Sequence, residues 1–340
     1  MVSAFSEHFG LSSERAWHDV GEILATLECV SSANDKLQES AATLPAAGGV
    51  EDSLGNAPPA RFDDCGVFRF GHRRVRVMSA VAEAGASLFR RFAHRALVDE
   101  GSADTLEISG SDSLFRLTFR GHLIDEVTTI NSLLSRLVQL LLGLEHPATN
   151  LLAHCHAGAV IRNGRSLLIP GSSGTGKSTL TAFLVANGFA YLGDDIVAIA
   201  EGGALLLPLP TCMSIKSGSW PVLEKLYPVL AELPSFNRGA RTVRYIEPKG
   251  NYETLDEGSA PSIVLFPIYQ PGEQTRLSLL PPLESMLRLV GAHASLLPPA
   301  TEERLAQLIR FVEQTPAYEL TYSELPEAMQ AIDDLLAARQ

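Results

Sequence analysis

Hydrophobic and polar positions change period along this chain, and the changes mark out its elements. In residues 11–40, Leu24, Leu27 and Val30 fall close to one face at helical spacing, with Ser12 or Ser13 placed to cap the start. The stretch 41–60 is rich in Ala, Gly and Pro and reads as a linker, so residues 1–60 are expected to be a helical appendage and its tether. From Arg61 the period shortens to that of strands: 67–70 and 75–78 flank Gly71-His72 as a hairpin turn. A helix is expected over 80–96, strands at 105–108 and 114–119, and an apolar helix over 129–142 that Gly143 stops ahead of Pro147. Residues 61–145 thus read as a small α/β subdomain that supplies scaffold and no catalytic constellation.

The remainder, 146–340, alternates the two periods. Strands are expected at 166–169, 189–192, 196–199, 262–269 and 318–322, and helices at 180–186, 283–290 and 327–338. That alternation predicts an α/β fold. No repeat of solenoid or propeller period interrupts it.

Composition narrows the class. The chain is 46% hydrophobic, 19% charged and 7% aromatic, a globular profile with material for a sizeable core. Its formal net charge of -12 would be repelled by a phosphate backbone, and the short Arg-rich runs 73–76 and 90–95 do not reverse that, so no nucleic-acid partner is expected. The four cysteines, Cys29, Cys65, Cys155 and Cys212, are scattered without the paired spacing of a zinc site or disulfide framework, which suits a reducing compartment. Glu7 and His8 stand where a signal peptide would be apolar, and the most lipid-like run, 133–144, is broken by Arg136 and Gln139 and falls short of the roughly 20 residues a span needs. The expectation is a cytoplasmic protein with no membrane span.

The strongest chemical signal is Gly171-Ser172-Ser173-Gly174-Thr175-Gly176-Lys177-Ser178, which fits G-x-x-x-x-G-K-[ST]. An apolar strand precedes it, and a helix follows with Leu180, Phe183 and Leu184 on one side and Asn187-Gly188 as its stop. Such a loop turns its amides and the positive end of the next helix toward phosphate oxygens, with Lys177 reaching the β and γ phosphates and the Ser178 hydroxyl on magnesium. An ordinary Gly/Ser-rich turn is the bland alternative, and the complete motif in its expected context argues against it.

The second signal is Asp194-Asp195, at the end of the apolar run 189–192 and seventeen residues after Lys177. A strand returning from the helix would deliver both carboxylates beside the phosphates. Magnesium needs a hard oxygen ligand and attack by a hydroxyl needs a base, so one Asp can serve each need, and their order stays open. The competing reading is a pair of turn-capping residues ahead of 196–199. The more distant strand 262–269 carries no acid, and no transporter-type Leu-Ser-Gly-Gly-Gln signature occurs.

These residues, with His156-Ala157 ahead of them and Gly188 closing the helix, resemble in order and spacing the HPr serine kinase/phosphorylases and their kinase-related relatives, which share a P-loop fold with phosphoenolpyruvate carboxykinase. The resemblance spans about 151–248 and implies an HPr kinase/phosphoenolpyruvate carboxykinase-type nucleotide-binding core with a mixed sheet, beside a smaller N-terminal α/β region. It implies that residues 171–179, Thr179 included, bind ATP, that Ser178, Asp194 and Asp195 serve Mg2+, and that Asp194, Asp195 and His156 take part in catalysis. For His156 a satisfied core histidine is an equal reading. The family also brings an Arg from a later mobile loop to the transferred phosphoryl group. Residues 237–250, with Arg238, Arg241, Arg244 and Lys249 among Gly and Pro, read as such a loop, with Arg244 as the candidate and a solvated basic face as the competing explanation. Lys216 is a weaker candidate.

The chain departs from the family at Thr179, where HPr kinases carry Glu, and at 201–217, which replaces their glycine-rich signature. These departures leave phosphorolysis and HPr itself open as carry-overs, and the kinase-related relatives are the nearer resemblance. The expected function is an ATP-dependent phosphotransferase acting on a hydroxyl of a small protein or peptide, with homo-oligomers allowed by the resemblance. The alternative is a nucleotide-gated binding or scaffold module with little transferase activity.

Overall fold

A computed structural model describes residues 62–98, 101–111, 114–172, 174–203, 205–238, 241–248, 258–297, 299 and 301–338. The expected appendage and linker, 1–60, lie outside the described residues. What is described separates into two compact units, one ending at Pro147 and one beginning at Ala148.

In the first unit the hairpin expected about Gly71-His72 forms from β1 (Asp63–Phe70) and β2 (Arg73–Ser79). With β3 (Ala96–Leu97), β4 (Asp104–Ser111), β5 (Leu114–Phe119) and β6 (His122–Val127) it makes a six-stranded sheet in the order β3-β1-β2-β4-β5-β6, in which β2 and β4 run parallel. Alternate residues such as Val75, Val77, Leu106 and Ile108 are buried, and helices α1 (Ala82–Phe92) and α2 (Ile130–Glu145) turn Leu88, Phe92, Leu133, Leu137 and Leu141 inward. The helix expected over 80–96 is shorter, Ala82–Phe92, and both boundaries of α2 differ from the pattern. Thr129 is the N-cap of α2, its Oγ1 accepting from the Ser132 amide at 3.1 Å. Gly143 does not stop the helix, which runs on because Glu145 is anchored: its carboxylate accepts from the Gly71 amide at 2.8 Å and pairs with Arg95 at 2.7 Å.

The second unit is built on β7 (Leu151–Cys155), β8 (Ala157–Arg162), β9 (Arg165–Pro170), helix α3 (Lys177–Ala186), β10 (Ala190–Gly193), β11 (Val197–Ala200) and β12 (Leu206–Leu207). There follow β13 (Met213–Lys216), the short α4 (Trp220–Leu223), β14 (Phe236–Arg238), β15 (Arg241–Ile246), β16 (Pro261–Tyr269), β17 (Arg276–Leu280) and α5 (Pro282–Gly291). Last come β18 (Ser295–Leu296), α6 (Glu302–Gln314), β19 (Ala317–Tyr322) and α7 (Leu325–Ala337). A mixed six-stranded sheet, β10-β8-β9-β16-β19-β17, has β9, β16 and β19 parallel at its centre. Four strands, β12-β11-β7-β18, and three, β13-β15-β14, form further sheets.

Both faces of the six-stranded sheet are core. Leu168, Val264 and Phe266 pack with β7, β11, α5 and α6, while their neighbours Leu167, Ile169, Ile263 and Leu265 pack with α3, α7 and Tyr227. This is why the central strands read as continuous apolar runs. Helix α6 adds to the elements expected from the pattern, capped by Thr301, whose Oγ1 accepts from the Arg304 amide. The stretch 237–250 is corrected most. Its described residues are the hairpin β14–β15 rather than a loop, with Val243 and Ile246 turned into the core. The fold is mixed α/β with several sheets. Among the described residues no helix is long and apolar enough to cross a membrane.

Candidate functional site

The carboxyl edge of the six-stranded sheet gathers the polar residues. Strand β9 ends at Pro170, and the glycine-rich loop leads from it into α3, whose first residue is Lys177. Gly176 is the helix N-cap with φ +95°, and no side chain caps it, so the first-turn amides keep the donors that a helix start leaves open. A Cβ on Gly176 would lie 2.4 Å from the Tyr322 hydroxyl, so this position excludes a side chain by space as well as by φ. The carboxyl ends of the neighbouring parallel strands brace the loop. The Tyr269 amide donates to the Thr175 carbonyl at 3.1 Å, and the Tyr322 hydroxyl reaches the Gly176 carbonyl at 3.5 Å.

Beside the loop the chain twice passes from one sheet to another. His156 sits between β7 of the four-stranded sheet and β8 of the six-stranded one, not within an apolar strand, and Asp194 and Asp195 sit between β10 and β11 in the reverse crossing. Because β8 pairs with β10 and β7 with β11, the two corners are neighbours. His156, Lys177, Ser178, Asp194 and Asp195 therefore converge although their chain positions span forty residues.

The contacts within this cluster are specific. The Lys177 ammonium lies 3.3 Å from His156 Nε2 and 3.7 Å from Asp194 Oδ1, and Ser178 Oγ donates to the same Oδ1 at 3.2 Å. His156 Nδ1 donates to the Asp195 carbonyl at 2.8 Å, which assigns the proton to Nδ1 and leaves Nε2 to accept from Lys177. Asp195 Oδ1 is 3.5 Å from the same ring, and its backbone is held at φ +79°, a left-handed conformation uncommon for a residue with a side chain. Thr211 Oγ1 donates to the Asp194 carbonyl at 2.8 Å, and the buried Tyr191 hydroxyl donates to the Thr211 carbonyl, so a second strand-loop segment fixes the acidic corner from behind.

Burial separates the two acids. Asp194 has a side-chain exposure of 1% and Asp195 of 14%. Burial holds the Asp194 carboxyl above the ordinary carboxylate range despite the Lys177 charge, with the Asp195 charge adding to the rise and the Ser178 hydrogen bond opposing it. Burial, then the Lys177 charge, push the His156 imidazole below its ordinary value, against the pull of Asp195, so its neutral form is favoured. Asp194 Oδ2 is buried with no hydrogen-bond partner. A buried carboxylate oxygen without a donor, beside the Ser178 hydroxyl, is a donor set that fits a hard dication held mostly by other oxygens. Among the described residues no group of three or more His, Cys, Asp or Glu side chains could cage a metal by itself.

Other expected residues fall elsewhere. Gly171, Ser172, Gly174 and Thr175 form the loop, while Ser173 lies outside the described residues. The Thr179 side chain turns away and pairs with Ser219 Oγ at 2.6 Å. Arg244, expected on a mobile loop, lies on β15, donates to the Leu230 carbonyl at 2.8 Å, approaches Glu224 at 3.6 Å and covers the Trp220 ring at 3.9 Å. These contacts place it in the packing of that small sheet. Lys216 ends β13. Tyr269, Tyr322, Thr211 and Ser219 join the site through tertiary pairing alone, and no local pattern announces them.

No family model matches the chain, and no curated protein does. One solved structure that matches is of the HPr(Ser) kinase/phosphatase from Coxiella burnetii, at 11% identity and a TM-score of 0.24, covering 55% of this chain and 99% of that one. At that identity and TM-score, neither the fold nor the function of that protein carries over to this chain.

Proposed function

We propose that this chain binds a nucleoside triphosphate with magnesium on residues 171–178 and moves its terminal phosphoryl group to an alcohol oxygen, the serine hydroxyl of a small protein or peptide. The observation that carries the reading is the meeting of a lysine, a serine and two acids of unequal burial beside an uncapped helix start.

The roles follow from position. The first-turn amides of α3 donate to no capping side chain and, with amides of the loop, would hold the phosphate oxygens, the helix dipole adding to the attraction. Lys177, steered by His156 Nε2 and Asp194, offsets charge on the terminal phosphates. Asp194 Oδ2 and Ser178 Oγ would hold magnesium, which supplies neutralisation of the phosphate oxygens. Asp195, the more accessible acid, takes the proton from the acceptor hydroxyl. As that oxygen bonds to the terminal phosphorus, the bond from phosphorus to the bridging oxygen breaks and a nucleoside diphosphate leaves. His156 is a positioning residue here, joining the Asp195 corner to Lys177.

Mass spectrometry of proteins co-expressed with this chain tests the reading. It expects a phosphoserine that appears with wild type and disappears with Asp195→Asn. Magnesium-dependent nucleotide binding with no phosphorylated product in any preparation would leave a nucleotide-gated binding module instead.

A further inference from the structure

The acids and the phosphate loop occupy only part of the sheet's carboxyl edge. In the order β10-β8-β9-β16-β19-β17, Asp194 follows β10, His156 precedes β8 and the loop leaves β9, so the groups that handle the terminal phosphate lie to one side of the loop. On the other side, β16 ends in Tyr269 and β19 in Tyr322. Tyr322 is buried, at 1% exposure, and braces the loop. Tyr269 is 50% exposed, although its backbone amide is bonded to the loop at Thr175 and a Cβ on Gly176 would lie 3.2 Å from its own Cβ. Its ring meets Tyr322 edge-on, with centroids 5.7 Å apart and planes at 62°, which fixes its orientation while leaving its outer part open.

A triphosphate whose terminal group sits at the acids must run its other end away from them. In a sheet with parallel central strands, ligands lie outside the carboxyl ends of those strands. β10 and β16 are three strands apart, about 14 Å at the usual spacing, so a nucleotide extended across the loop brings its base toward β16. We propose that Tyr269 is the base platform of this site: its exposed ring packs on a purine held next to the phosphate loop, selecting a nucleotide over inorganic polyphosphate. This rests on the nucleotide reading above.

The test compares binding of magnesium-ATP and of magnesium-tripolyphosphate, by calorimetry, to wild type, Tyr269→Ala and Tyr269→Phe. The expected result is about a tenfold weaker ATP affinity for Tyr269→Ala, in the range of an aromatic–base stack, with tripolyphosphate affinity unchanged and Tyr269→Phe close to wild type. Equal ATP affinity in Tyr269→Ala and wild type would overturn the inference. So would a parallel loss of both ligands, since the ring would then act only by shaping the loop. Wild type that binds tripolyphosphate no worse than ATP would also overturn it, while leaving the phosphate site standing. Wild type that binds neither would remove the nucleotide reading and this inference together.

Discussion

Asp194 is the residue at which stability and chemistry pull against each other. Burial raises its carboxyl above the ordinary value even beside the Lys177 charge, so ionising it costs the folded state more than the unfolded one. For an acid raised in the folded state, the stabilising contribution is complete below the ordinary value of 3.8 and is lost as pH rises through the folded value. Asp194→Asn, which can still accept from Ser178, is therefore expected to raise the melting temperature at neutral pH, with a gain that shrinks as pH falls toward that value. Thermal melts across pH check this, and a lower melting temperature at neutral pH would contradict it. His156 has the opposite sense. Depressed below 6.5, it contributes stability that is present above that pH and lost as pH falls through its folded value, because a charged ring would be buried away from water and would also face Lys177. His156→Gln should remove that step from the stability profile on the acidic side of 6.5, and a profile identical to wild type would count against the assigned contacts.

At the scale of elements, the loop is the part that local sequence specified best. Strand, glycines and Lys177 are contiguous, and only short-range geometry is needed to bring them together. Gly176→Ala and Gly174→Ala both place a side chain at positive φ, +95° and +110°, and each should cost about 1 kcal/mol; at Gly176 the added Cβ also meets the Tyr322 hydroxyl, whereas at Gly174 it meets nothing within 4 Å, so Gly176→Ala should cost more and weaken nucleotide binding more. Calorimetry and denaturant unfolding of the two variants would decide it. The acidic corner was legible as a motif, but its geometry was not: that Asp194 is fully buried and Asp195 partly exposed depends on β10 and β11 joining different sheets, which no local pattern encodes. The basic stretch 237–250 misled for a physical reason. On β15 only Val243 and Ile246 are buried, so its alternation is weak, and flanking Gly and Pro resemble loop composition. Arg244 shows the same limit, since a guanidinium stacked on Trp220 and one aimed at a phosphate look alike in sequence. Helix α6 was the reverse case, with Leu305, Leu308, Ile309 and Val312 at helical spacing behind the Thr301 cap.

At the scale of the molecule, the six-stranded sheet is a rigid support because apolar side chains cover it on both faces. Leu167 and Leu168 are adjacent in sequence yet belong to different cores, so replacing either by Ala should cost about 2–5 kcal/mol. Denaturant unfolding that found only one of the two sensitive would mean that one face is wet. That support holds the acids, the loop and the aromatic pair in line along one edge, which is the arrangement the proposed transfer requires. The most direct test is single-turnover transfer from γ-labelled ATP to a serine acceptor by wild type and Asp195→Asn, at matched saturation with magnesium-ATP. Wild type is expected to label the acceptor, and Asp195→Asn to bind ATP comparably while transferring at least about 100-fold more slowly, the lower end of what a positioned base contributes. Equal transfer rates in the two proteins would contradict it.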